Sequence, residues 1–256
     1  MESLFNLKDK NAIITGSSRG IGKAIAYRMA EHGAKVIITS RKLDACEAVA
    51  KEINDTFGEG HATSIACNIS DKEQLQNLYK KSLDFCGNIS TLVCNAAINP
   101  YFGPSNKIPD EAFEKIMKSN VQSNFWLCNE VLPDMIKMKN GSIIIISSIA
   151  GLHGSSMLGA YAISKAADSQ LARNISVEYG RNNIRANCIS PGLIKTDFAR
   201  ALWENESILK ATTAKSALKR IGMPDEIAGA AVYLASNAGS FMTCLLYTSD
   251  AADEWR

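Results

Sequence analysis

The sequence predicts an α/β fold: one doubly wound domain on a mainly parallel sheet. Three observations carry the prediction. Short apolar runs alternate with longer helical stretches along nearly the whole chain. The runs are continuous in Ile and Val, as strands covered on both faces require. A glycine-rich turn follows the first run directly, where such folds open a ligand-binding edge.

The elements follow in order. "NAIIT" (11–15) reads as the first strand. A helical pattern over 21–32 stops at Gly33, a good C-terminal signal. "KVIIT" (35–39) is the second strand and 43–56 the next helix. "TSIAC" (63–67), "TLVC" (91–94), "SIIIIS" (142–147) and "IRANCI" (184–189) continue the strands, with helices over 71–86, 110–137 and 156–179. Right-handed crossovers then place the strand C-termini along one edge. No long linker, internal repeat or low-complexity segment divides the 256 residues, a length that one α/β domain can fill.

Composition excludes several function classes. The formal net charge is +2, with no basic block or acidic tail, so nothing points to nucleic acid or an anionic membrane. No apolar run approaches the ~20 residues needed to span a bilayer. The start, "MESLFNLKDK", lacks the pattern of a secretory signal. Seven cysteines without a CxxC pair read as reduced core residues of a cytoplasmic protein. His32, His61 and His153 have no ligand spacing, and no metal site is expected.

The turn after the first strand, "TGSSRGIG" (15–22), carries Gly16, Gly20 and Gly22, with Ser18, Arg19 and Ile21 between and beside them. Glycines there let backbone approach a pyrophosphate while the helix N-terminus faces it. The end of the second strand discriminates between nucleotides. An NAD site usually offers a carboxylate to the ribose 2′-OH. Here Ser40 stands in that place with Arg41 beside it, and Arg19 can point to the same region. Guanidiniums without a carboxylate suit a 2′-phosphate, so NADP(H) is favoured over NAD.

"GAYAISKAAD" (159–168) places Tyr161 and Lys165 four residues apart, on one helix face. A phenol ionises near pH 10, and a neighbouring ammonium favours the phenolate. Tyr161 could then protonate a carbonyl oxygen as hydride arrives, and deprotonate the alcohol in reverse. A lone YxxxK is common by chance; its surroundings decide. Ser147 and Ser148 end a strand, where a hydroxyl can bond a substrate oxygen as charge develops. "CNAA" (94–97) follows the fourth strand at the same edge, and Asn120 lies within a helix, where Asn is not intrinsically favoured.

With these motifs together, T-G-x-x-x-G-x-G and Y-x-x-x-K, the chain resembles the short-chain dehydrogenase/reductase family from about Leu7 to Thr243. The resemblance implies a Rossmann-type domain with a seven-stranded sheet. It makes Tyr161 the acid/base and gives Lys165 contact with the nicotinamide ribose. Ser148 would orient the carbonyl or alcohol, and Asn120 would hold a water linking Lys165 to solvent. Pro191, Gly192, Ile194 and Thr196 in "SPGLIKT" match the turn beside the carboxamide, and Asn95 matches an adenosine-side contact. Two positions depart from the pattern. Ala97 replaces the Gly of N-A-G, and Asn68 stands where many relatives carry an Asp at the adenine amino group.

Relatives that reduce enoyl thioesters usually separate Tyr and Lys by more than three residues; this chain has the carbonyl/alcohol spacing. The segments 94–104 and 119–135 resemble the NADP-dependent carbonyl reductase branch. A 3-oxoacyl thioester reductase is the runner-up, since it shares the catalytic residues. A silent dinucleotide-binding sensor is the third reading, disfavoured because Ser148, Tyr161, Lys165 and Asn120 are all kept. The resemblance also implies a homo-oligomer, a dimer or tetramer, acting on a small carbonyl or alcohol.

Residues 193–216 would cover the substrate, with Phe198, Leu202 and Trp203 available for an apolar pocket. After Thr243 the chain leaves the family pattern and reads "CLLYTSDAADEWR" (244–256). This stretch is expected to be non-native sequence and to leave the last strand damaged or short. It would also hide any C-terminal targeting signal, which leaves a peroxisomal destination open beside the cytoplasm.

Overall fold

Neighbouring residues of a strand face opposite sides of a sheet, and here both sides are buried. The computed structural model describes residues 3–250. Its strands are β1 (Asn11–Thr15), β2 (Lys35–Ser40), β3 (Ala62–Ala66), β4 (Thr91–Cys94), β5 (Gly141–Ile146), β6 (Ile184–Pro191) and β7 (Leu246–Ser249). They form one sheet in the order β3-β2-β1-β4-β5-β6-β7, and every pair is parallel.

Helices cover the two faces. Helices α1 (Gly20–Glu31), α2 (Leu43–Phe57) and α9 (Pro224–Ala235) pack Ile25, Met29, Ile53 and Ile227 against Ile14, Ile38, Val93, Ile144 and Ile189. On the other face α3 (Lys72–Cys86), α5 (Ser123–Met138) and α6 (Gly159–Tyr179) pack Leu75, Leu78, Val131 and Ile175 against Ile13, Ile37, Leu92, Ile143 and Ile145. Each fully buried Ile or Leu contributes about 1.5–3 kcal/mol. An exposed pair such as Lys51–Asp55 is screened by solvent and adds little beside that. The fold is therefore held by its two apolar layers.

Helix ends follow local chemistry. Asp71 caps α3 by accepting from the Gln74 N–H at 3.2 Å. Gly33, at φ +98°, ends α1 where a side chain would crowd the Lys8 backbone at 3.3 Å. Two helices differ from expectation. The helix expected over 110–137 is α4 (Asp110–Met117) and α5 joined by a π-helical turn at Lys118–Gln122. The helix expected from 156 starts at Gly159, because the Ser155 Oγ accepts from the N–H groups of Met157 and Leu158 and holds a turn there.

The last strand is short, not broken. Leu246–Ser249 pairs with Cys188–Pro191, so the sheet continues past Thr243. Asn187, fully buried on β6, fixes the approach. Its Nδ2 donates to the Met242 carbonyl at 2.9 Å and its Oδ1 accepts from the Leu245 N–H at 3.2 Å. Residues 251–256 of the expected tail lie outside the described residues. All seven cysteines are free and five are buried, but Cys244 is exposed, against the expectation of a core position. Among the described residues no helix is long and apolar enough to cross a membrane.

Replacing Asn187 by Ala strands the Leu245 N–H on the approach to β7, while the Met242 carbonyl keeps the Arg185 guanidinium at 3.3 Å. The expected cost is about 1–3 kcal/mol, read as a lower urea midpoint with unchanged slope.

Candidate active site

The parallel arrangement brings the C-terminal ends of all seven strands to one edge, and strand order reverses between β1 and β4. The glycine turn lies there. Gly16 and Gly20 hold φ +67° and +57°, in the left-handed region. Gly22 allows close approach: a Cβ on it would lie 2.5 Å from the Gly16 carbonyl oxygen and from Asn95 Nδ2. Asn95 reaches across from the loop after β4 and donates to the Thr15 and Gly16 carbonyls at 2.8 and 3.2 Å. Its amide thus shapes the turn. Ser17 ties the turn to β2, accepting from the Thr39 N–H at 2.9 Å.

Helix α1 opens from this turn with no side-chain cap at Arg19 and no acidic residue in its first turn. Its N–H groups face outward with the positive end of the helix dipole. This cradle fits the pyrophosphate of a dinucleotide, with Gly16, Ser18, Arg19, Gly20, Ile21 and Gly22 as the residues that would hold it.

At the end of β2, Ser40 accepts from the Lys42 N–H and Arg41 is exposed without an ion pair among the described residues. No carboxylate stands between them. Arg19 does not join Arg41 here. It is paired with Asp197 at 3.5 Å, because the loop after β6 lies over the turn; a Cβ on Gly20 would lie 3.4 Å from Thr196 Cγ2. Asn68, after β3, is exposed and its Oδ1 accepts from the Ser70 N–H, which leaves its amide N–H groups outward.

The chemical end is built on β5 and α6. Ser147 donates to the Lys165 carbonyl at 2.8 Å. Ser148 turns the chain off β5, and its Oγ accepts from the Ala150 N–H at 3.1 Å, leaving the hydroxyl proton available. The chain then passes so close to α6 that a Cβ on Gly151 would lie 2.8 Å from the Ala166 nitrogen. Tyr161 is half-buried, and the Lys165 ammonium lies 5.8 Å from its ring centre. Lys165 is 2% exposed and donates to the Ile146 carbonyl at 2.8 Å and to Asp168 Oδ2 at 3.0 Å. Burial alone pushes Lys165 down, but Asp168 and Tyr161 beside it outweigh burial and hold it above its ordinary value. Burial pushes Asp168 above the usual carboxylate range, against the pull of Lys165 and Asn124.

Asn120 sits in the π-helical turn, fully buried. Its Oδ1 accepts from the Ile98 N–H, and its Nδ2 donates to the Ile98 carbonyl and to Ser164 Oγ at 3.0 Å each. Ser164 in turn donates to the Tyr161 carbonyl. The π-turn therefore aims Asn120 at the loop after β4 and at α6 together. Ala97 lies in that loop without a positive φ, so the methyl there requires no strained backbone.

Pro191 ends β6, and the Gly192 N–H donates to the Ser249 carbonyl of β7 at 3.1 Å. Ile194 bridges Gly222, and Thr196 caps the next turn. Beyond it, the segment expected to cover the substrate folds as α7 (Arg200–Trp203) and α8 (Glu206–Lys215). Trp203 donates to the Thr196 carbonyl, and the Phe198 ring lies 6.2 Å from that of Tyr161. Phe198 thus flanks Tyr161, whereas Trp203 closes its own loop. Among the described residues no cluster could hold a metal ion.

Two residues had escaped the sequence reading. Asp168 and Asn124 meet beneath Lys165, with the Asn124 Nδ2 donating to Asp168 Oδ1 at 2.9 Å. A carboxylate three residues after the lysine, in the Ala-rich first half of α6, was the available signal.

Comparison with known proteins agrees with this geometry. A family model described as enoyl-(acyl carrier protein) reductase matches residues 16–251. Dehydrogenase/reductase SDR family member 4 of Bos taurus is 38% identical over 93% of this chain and 84% of its own. The same-named protein of Oryctolagus cuniculus is 39% identical over 93% and 90%. Among solved structures, a 7α-hydroxysteroid dehydrogenase with NADH and 7-oxo glycochenodeoxycholic acid superposes with a TM-score of 0.92 at 34% identity, covering 98% of this chain and 97% of that one. A gluconate 5-dehydrogenase from Burkholderia cenocepacia with NADP and tartrate gives 0.91 at 28%, covering 97% and 96%. The chain is an NAD(P)-dependent oxidoreductase of the short-chain dehydrogenase/reductase family.

Proposed function

We propose that this enzyme interconverts a small ketone or aldehyde and its alcohol, with NADP(H) as the preferred nucleotide. The observation that carries the reading is the buried Lys165 ammonium beneath Tyr161. Ser148, Pro191 and the open α1 N-terminus stand at the same sheet edge. A bound nicotinamide supplies or accepts the hydride. Ser148 donates to the substrate oxygen and fixes its position. Tyr161 gives its phenolic proton to that oxygen in reduction and takes it back in oxidation. Lys165 favours the phenolate that remains. Asn120 holds the π-turn against α6 and keeps Tyr161 and Lys165 in register.

The three residues between Tyr161 and Lys165 support carbonyl chemistry over enoyl reduction. A 3-oxoacyl thioester is the competing substrate class, kept open by the acyl-carrier description of the matching family model. The exposed Arg41 and the absence of a carboxylate at Ser40 support NADP(H). Solved neighbours carry either NADH or NADP, so the preference rests on those residues. Seven free cysteines support a reducing compartment such as the cytoplasm, and the family likeness supports a homo-oligomer.

A panel of ketones, diketones and 3-oxoacyl thioesters, followed by nucleotide absorbance, separates the substrate classes. Tyr161→Phe should lower kcat by about 100-fold or more while NADPH binding stays unchanged; retained turnover would overturn the assignment. Arg41→Ala should raise the KM for NADPH about tenfold, the loss of one charge-assisted hydrogen bond, with little change for NADH. An equal rise for both would remove the nucleotide preference.

A further inference from the structure

Among the described residues, Lys165 and Asp168 are the two charged side chains that are buried, at 2% and 0% exposure. A buried ammonium is costly unless compensated. The Ile146 carbonyl gives Lys165 one acceptor, and Asp168 Oδ2 at 3.0 Å gives it a counter-ion. The carboxylate is itself oriented. Its other oxygen accepts from Asn124 on α5, whose Nδ2 also donates to the Asn120 carbonyl at 2.7 Å. Asp168 is thus fixed from two helices, and it fixes the lysine.

We propose that Asp168 is a positioning residue that anchors the Lys165 ammonium and offsets part of the positive charge felt at Tyr161, so setting the pH range in which proton transfer works. The inference rests on the assignment of Tyr161 and Lys165 above.

The groups facing this pair leave its charges as the dominant ones. Lys165 and Tyr161 lie on the same helix as Asp168. From β6, Cys188 Sγ donates to the Asp168 carbonyl at 3.5 Å, and burial pushes that thiol up to about 12. From β4, Cys94 is also held well above the ordinary thiol value, by its hydrogen bond to Cys128 of α5 and by burial. Both thiols are neutral at working pH. Asn124 is neutral, so the pocket holds one positive and one negative charge. Removing the negative one leaves a more positive site, which favours the phenolate.

Three variants test this. Asp168→Asn removes the charge and keeps the shape; Asp168→Glu keeps the charge; Tyr161→Phe serves as blank. Two quantities are read: the pH profile of kcat/KM for alcohol oxidation, and the ultraviolet phenolate titration of nucleotide-free protein that Tyr161→Phe removes. Both should move about one pH unit lower in Asp168→Asn, the size expected for one charge in a partly polar interior. Both should stay near wild type in Asp168→Glu. A purely structural role would lower activity and leave the profile in place. An unmoved or upward profile in folded Asp168→Asn sinks the proposal while Tyr161→Phe stays inactive; an active Tyr161→Phe instead sinks the assignment beneath it. Should Asp168→Asn fail to fold, Asp168→Ser replaces it. If neither neutral variant folds, Asp168 serves stability and the proposal falls.

Discussion

The parallel run of all seven strands is the constraint on which everything else depends. Parallel neighbours cannot be joined by tight hairpins, so the chain returns over a face of the sheet each time, usually by a helix. Both faces are then covered, the five central strands are largely buried on both sides, and all C-terminal ends lie at one edge. The site is a consequence of that geometry. Thr15, Ser40, Cys94, Ile146 and Pro191 are distant in sequence but adjacent along the edge, and each hands the chain to a loop that carries a candidate site residue.

Chemistry at this edge needs polar groups inside an apolar frame. The frame tolerates them because each is held by the backbone of a neighbouring element. Asn95 bonds the phosphate turn, Asn120 bonds the loop after β4, Ser147 bonds α6, and Lys165 bonds β5. An unpaired polar group in such surroundings costs about 1–3 kcal/mol. These bonds therefore do two things at once: they remove that cost, and they fix the spacing between the segments that would hold nucleotide and substrate.

Most of the fold was legible because its strands are continuous Ile/Val runs and its helices stop at Gly33, Gly58 and Gly87. The positions proposed for catalysis were legible because family motifs mark them. The π-turn at Lys118–Gln122 was not, since helical periodicity over 110–137 continues on both sides of a single extra residue. The start of α6 was misplaced because a Ser155 side chain, not a helix breaker, decides it. The Lys165–Asp168 pair was hidden for another reason. A salt bridge at three-residue spacing usually decorates a helix surface, and only the packing of β6 and α5 against α6 buries this one. The Arg19–Asp197 pair depends on where a distant loop comes to rest, which no local pattern encodes.

The hydrogen bond between Gly192 and Ser249 gives the two ends of the cleft different histories. The glycine turn is closed by hydrogen bonds that reach no further along the chain than the β4 loop at Asn95 and Ala96. The turn at Pro191–Gly192 leans on β7, a strand that comes far later in the chain. A chain leaving the ribosome can form the glycine-turn bonds before β5, β6 and β7 have been made. The opposite end waits for Ser249, so the backbone around the glycine turn can be fixed before the turn after β6 is.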